Sequence, residues 1–283
     1  MARIDKKGFI HGRIGNNVYR QVGNVNVMQS APHKVQQTAA TQLRAKEFGL
    51  ANNAAKVLRP VFVSQALHAD KRIVHRLGQA VLKAIRNGDA EGLKDLHQGD
   101  LSCLPGFQFN LNSPLDNVLQ LKPVVNIQEG GVLSISIPAV GKEDLFFPPY
   151  SHLCMIRTMV MAINFKKEFY QYLGYRDIFL ENKKGKSTEA EEWQLEEAAE
   201  ANSIVLVSLS LHYFSPDGVN ENGMLLNDKS FSPAELVAAL HIGEDGAEPQ
   251  DSGALPKHPL FGYKGNELLR DFKRAQSKAE KQG

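Results

Sequence analysis

Apolar residues recur at two different periods along this chain of 283 residues, and the changes of period divide it. Between residues 8 and 30, β-branched and aromatic residues alternate with polar ones. Val18-Tyr19-Arg20-Gln21-Val22 and Val25-Asn26-Val27-Met28 flank Gly23-Asn24. Two alternating runs around a two-residue turn that accepts positive φ predict a β-hairpin. A hairpin alone is marginal in water, so this one must lie on the rest of the chain or on a partner. Ala31-Pro32 then ends the strand. From residue 38 the period becomes helical. Thr38 or Thr41 supplies an N-cap, and Leu43, Phe48, Leu50, Ala54, Val57 and Leu58 form an imperfect stripe. Pro60 interrupts it and suits the first turn of a new helix. Ile73, Val74, Leu77, Val81 and Ile85 then make a clear amphipathic stripe, with Lys71, Arg72, Arg76, Lys83 and Arg86 mostly off it. Asn87-Gly88 ends this second helix, and a short helix is expected over 89–97.

Residues 99–123 contain Pro105, Gly106, Pro114 and Pro123 and read as a connector with little regular structure. Beyond it the period is two. Leu133, Ile135 and Ile137 alternate with serines after a Gly130-Gly131 turn. Residues 152–165 are apolar at nearly every position and read as a strand buried on both faces. Residues 175–182 and 203–214 read as further strands. The acidic run 189–201 is either a short helix or a strand around Trp193 followed by a loop. Residues 244–262, rich in Gly, Pro and acids, read as a linker, and 265–281 as a last helix capped by Asn266. The resulting expectation is an α+β chain. A basic N-terminal arm of hairpin plus helices (1–98) is followed by a connector (99–123), a mainly antiparallel β-sandwich (124–243), and a linker with a C-terminal helix (244–283).

Charge changes the picture. The net +2 hides an asymmetry, because residues 1–86 hold 15 Lys/Arg against 3 acids, a net +12, and the remainder nets −10. Such a split calls for a polyanion, or for an acidic protein surface that can belong to the same chain or to another copy. A head-to-tail contact between copies is heterologous and builds rings or fibres. No apolar run approaches the ~18 residues of a membrane span, and the N-terminus lacks the apolar stretch of a secretory signal. The expected location is therefore cytoplasmic, or within a virion-like or other large assembly. The two cysteines, Cys103 and Cys154, exclude a disulfide framework and read as free thiols.

The chemistry of common active sites is missing from the sequence. Nine histidines are scattered, with no H-E-x-x-H and no C-x-x-C. His68 and His75 fall on one predicted helix face but two turns apart, about 10 Å, too far for one zinc. There is no G-x-S-x-G elbow, S-x-x-K or phosphate-binding loop, and His152 beside Cys154 matches no nucleophile signature. Gly12-Arg13-Ile14-Gly15 matches the G-x-x-G loop of one RNA-binding class, but that loop joins helices and here the flanks are strand-like. No catalytic residue, cofactor or metal ligand is expected, and a small-molecule site is not.

The N-terminal pattern taken whole carries a resemblance. An opening Met-Ala-Arg-Ile is followed by Gly12, Gly15, Asn16, Val18, Tyr19, Arg20 and Pro32, then by a helix start with Thr38, Thr41, Gln42, Lys46 and Phe48. This arrangement, over about 60 residues, resembles an uncharacterised family found in Bacteroidetes and looks like some phage-associated structural proteins. The chain departs from that family in lacking the proline that pairs with a threonine ahead of Thr41. The resemblance implies a β-rich remainder and no catalytic residues.

The functional expectation is a non-enzymatic structural or protein-interaction protein, using the arm and the β-domain surface, by strand addition where an edge is open. The alternative is nucleic-acid binding through residues 1–86. The interaction residues expected are Arg13, Asn16, Tyr19 and Arg20 in the arm, and Arg72, Arg76 and Lys83 on the helix.

Overall fold

The computed structural model describes residues 2–31, 38–62, 67–88, 95–216, 223–244 and 255–280. By contacts the chain divides into two units, residues 1–43 and 44–283, so the division falls in the first turns of a helix and does not coincide with the expected boundary at 98/99.

The first unit is a four-stranded antiparallel sheet. Its strands β1 (Arg3–Ile4), β2 (Ile10–Ile14), β3 (Asn17–Val22) and β4 (Val25–Ser30) lie in sequence order. The predicted hairpin is β3–β4. Val22 pairs with Val25 across the two-residue turn, and Gly23 there has φ +62°, a conformation that favours glycine.

Two helices follow, the first of them crossing the division at 43/44. α1 (Ala39–Val61) starts beyond Thr38, whose hydroxyl accepts the Thr41 N–H at 3.2 Å, the expected N-cap. Pro60 does not open a new helix. It sits in the last turn of α1, which ends one residue later, as the missing N–H and the ring clash with the preceding turn require. α2 (Ile73–Asn87) buries Ile73, Leu77, Val81 and Ile85, the stripe read from the sequence apart from the exposed Val74, and Ala84 beside them. The expected helix over 89–97 falls largely outside the described residues, which show only a single 3-10 turn at Leu96–Gln98.

Eight of the remaining strands are β5 (Phe107–Gln108), β6 (Val124–Ile127), β7 (Leu133–Ile137), β8 (Leu153–Asn164), β9 (Phe169–Glu181), β10 (Glu191–Gln194), β11 (Ile204–Ser215) and β12 (Met224–Leu225). β13 (Ala234–His241), β14 (His258–Pro259) and the closing helix α3 (Gly265–Glu280) complete the order. Seven strands form the large sheet, β14-β9-β8-β11-β13-β5 with β12 added to β11, and three form the small one, β10-β7-β6. All pairings are antiparallel. The uncertain segment 189–201 therefore resolves as a strand around Trp193. Leu133, Ile135 and Ile137 of β7 share one buried cluster with Val160 and Ala162 of β8 and Val205 and Val207 of β11. The two sheets thus face each other across a common core, the layering of a β-sandwich. On the other face the Tyr172 hydroxyl donates to Val61 O at 3.1 Å, which ties the end of α1 to β9. The fold is mixed α+β, as expected.

Residues 99–123 hold little regular structure, as expected, but they pack into the fold. Leu101, Leu104, Phe109, Leu115, Val118 and Leu119 are buried, and β5 completes the large sheet against β13. Residues 255–262 likewise hold a strand and the buried Leu260 rather than a free linker; 245–254 lie outside the described residues.

Candidate interaction surfaces

Unlike a folded domain, the first unit has no core among its described residues. Among residues 2–31 no side chain is buried. Ile4, Val25 and Met28 are 70%, 63% and 59% exposed. Strand register sorts the expected interaction residues. Arg13 pairs with Val18 and Arg20 with Val27, and side chains alternate, so Arg13, Val18, Arg20 and Val27 share one face. Tyr19, opposite Gly12 and Met28, lies on the other. Asn16 sits in the β2–β3 turn, where its carbonyl accepts the Ala31 N–H at 2.5 Å. Both arginines are exposed; Arg13 donates from Nε to Gly15 O at 2.8 Å, and neither carries an ion pair among the described residues. The four arm residues are therefore split between two faces and a turn.

The helical cations behave differently. Arg76 is held inside the structure. It donates to Gln108 O at 2.8 Å and to Phe109 O at 3.4 Å, pairs with Asp70, and lies 4.8 Å over the Phe107 ring. Asp70 is drawn below its ordinary range. Burial works to raise it, but the Arg76 bond and the Arg72 and Leu111 amides outweigh burial. Arg72 and Lys83 are exposed. Eleven positions at 1.5 Å each put them about 16 Å apart along the helix. Arg86 bonds Glu47 at 3.1 Å. The expected run of three free cations is thus two separated ones.

His212 meets Ser210 Oγ at 3.0 Å, next to the bidentate Arg157–Asp177 pair at 2.6 Å. Burial first, and the Arg157 charge second, push His212 down to about 4, so the ring is neutral near pH 7. Ser210 is 1% and His212 5% exposed, which leaves no access for a substrate. No motif marks this cluster in the sequence, because its members come from three separate strands. Cys154 is fully buried against Tyr213, and burial pushes its thiol well above the ordinary range, which makes it inert rather than a partner of His152. Both cysteines are free. His68 lies before α2 rather than on it, so it does not share a helix face with His75. Among the described residues no group of three His, Cys, Asp or Glu is placed to hold a metal ion. A cleft of about 820 Å³ beside α3 is lined by Asp95 and Glu168 together with Lys166, Arg270 and Lys273. Its carboxylates already serve the fold. Asp95 caps the turn at His97 N, and Glu168 accepts from Asn266, whose amide also holds Phe165 O and is not the helix cap expected of it.

The acidic run 189–201 is more than a solvated stretch. Residues 189–201 contain six glutamates and no Lys or Arg. Glu191 pairs with Arg176, Glu200 with Lys167 and Lys257, and Glu197 accepts the Leu255 N–H. Glu189 and Glu196, exposed on either side of β10, have no ion pair among the described residues. Glu192 is held by the Ser134 and Ser136 hydroxyls, which keep its carboxyl below the usual range.

No helix among the described residues is long and apolar enough to cross a membrane. No family model, curated protein or solved structure matches the chain.

Proposed function

We propose that the chain is a non-enzymatic structural or interaction protein whose N-terminal sheet, residues 3–30, engages another protein chain, as a component of a phage-like or other larger assembly. The missing core carries this reading. Ordering a backbone costs roughly 1–2 kcal/mol per residue. A sheet that buries none of its side chains has little hydrophobic gain to offset that cost. A partner that covers Val22 and Val25, exposed on the Arg13/Arg20 face, supplies it. The strand part of the N-terminal pattern, Gly12 to Arg20, which resembles that of a Bacteroidetes family, falls on this sheet and supports the same reading. The test is cross-linking in a lysate of the source organism, with Val25→Lys/Met28→Lys as control. Protein cross-links to residues 2–31 that the control loses are expected. A full-length chain that stays single and gains no protein cross-links there refutes the proposal.

The net +12 of residues 1–86 favours a second reading, nucleic-acid binding. It requires affinity that falls steeply with salt and drops when Arg72 and Lys83 are neutralised. Unchanged affinity in that variant refutes it.

A further inference from the structure

The partner's chemistry follows from the charge on the two units. Residues 1–43 hold six Lys/Arg and one acid, a net +5, while residues 44–283 hold 27 Lys/Arg and 30 acids, a net −3. We infer that the partner of the N-terminal sheet is a second copy of this chain, bound head to tail, with the Arg13/Arg20 face of one copy on the acidic β10 surface of the next. This rests on the interaction reading above and names its partner.

Each surface fits the other. On the basic side, Arg13 and Arg20 stand exposed and without ion pairs beside Val18 and Val27 on one sheet face. On the acidic side, Glu189 and Glu196 flank β10, and Glu192 projects from it with its charge held by two serine hydroxyls. In register with Glu192 and Ser136 on the same outer face lies Val124, 59% exposed, an apolar neighbour for the valines. β10 pairs only with β7 among the described strands, so the small sheet ends at this acidic edge. Two arginine faces set against each other would bring like charges together, which opposes association. The complementary pairing joins two different surfaces, so a copy bound through one of them still offers the other, and the contacts either close on a reciprocal pair or a ring or run on as a filament.

The experiment is light scattering on nuclease-treated, full-length protein in 0.1 M and 1 M NaCl, where the screening length falls from about 10 Å to about 3 Å. Two variants are needed, Arg13→Gln/Arg20→Gln and Glu189→Gln/Glu196→Gln. All four positions are exposed, and circular dichroism checks that the fold is kept. The wild type should gain mass with concentration at 0.1 M and return to a single chain at 1 M. Each variant alone should associate at least tenfold more weakly. An equimolar mixture should stop at two chains, since it holds one intact basic face and one intact acidic face per pair. A wild type that stays single, loss of association on nuclease treatment, or a variant that associates like the wild type overturns the inference. If residues 2–31 then still cross-link to another protein, the interaction reading stands without it; if they do not, both fall.

Discussion

Replacing Arg76 with alanine separates a structural cation from a nucleic-acid contact. The guanidinium spans α2, the Asp70 carboxylate and the carbonyls of Gln108 and Phe109, so it fastens the helix to the strand that closes the large sheet. A hydrogen bond to a charged group contributes about 1.5–3 kcal/mol, and a cation over an aromatic face about 0.5–1 kcal/mol. The long 3.4 Å bond, a buried Nε that makes no bond and 18% side-chain exposure all trim the sum. The expected loss is about 2–4 kcal/mol, dominated by the Gln108 carbonyl and the Asp70 carboxylate left without their partner. Urea unfolding at pH 7 reads it as a lower midpoint at unchanged slope. Lys83→Ala, on the exposed face of the same helix, should stay within about 0.5 kcal/mol of wild type. The sign of the pH dependence is fixed too. Asp70 is depressed in the folded state, so its contribution is present above the unfolded carboxylate value near 3.9 and is lost as pH falls through the lower folded value. If Arg76→Ala costs under about 0.5 kcal/mol, the side chain is free and this reasoning fails.

Other consequences are independent of that lock. Lys122 is the cation that bonds the 2%-exposed Glu235, at 2.6 and 2.8 Å, so Lys122→Ala should cost about 3–5 kcal/mol in thermal or urea unfolding; a change below about 1 kcal/mol contradicts it. Burial lowers both His97 and His212 to about 4, so the unfolded chain takes up protons first. Stability should fall from about pH 6.5 toward 4, by up to about 3 kcal/mol per histidine, and histidine resonances that titrate near 6.5 in the folded protein would refute this. A thiol reagent should label Cys103 alone in the native chain and both cysteines in denaturant; fast native labelling of Cys154 is the contrary result. A Cβ on Gly88 would fall 1.9 Å from Gln98 O, so Gly88→Ala should destabilise by about 1–3 kcal/mol, and a neutral melting temperature would show that the backbone there yields freely.

What the sequence disclosed was local. The alternation at 133–137 and 203–214 put β7 and β11 where they lie, because these strands face a core on at least one side; β8 was legible as an unbroken apolar run, and the Gly23-Asn24 hairpin by its turn residues. The failures are non-local. β5 and β14 have two residues each, too few to show a period, and both are fixed by partners more than 80 positions away. The segment 99–123 reads as a connector because prolines and polar residues crowd it. Its Gln108 meets Glu235 at 2.5 Å only in the folded chain, and its apolar residues follow no helical or strand spacing. Arg76 reads as a surface cation because the carbonyls that bind it lie 32 and 33 positions further on. The basic half of the candidate interface was visible in Arg13 and Arg20. The acidic half was not, since it depends on which of six glutamates find cations, and Arg176, Lys167 and Lys257 come from other strands and loops.

The central claim, that the N-terminal sheet is completed by a partner, is tested most directly by amide hydrogen exchange. Exchange is compared between residues 17–30 and the β8 and β11 amides, in dilute high-salt solution and in concentrated low-salt solution. Residues 17–30 should exchange fast in the dilute chain and gain at least tenfold in protection on association, while β8 and β11 stay protected throughout. Protection of residues 17–30 equal to that of β8 in the dilute, single chain would contradict it, because the sheet would then be stable with no partner at all.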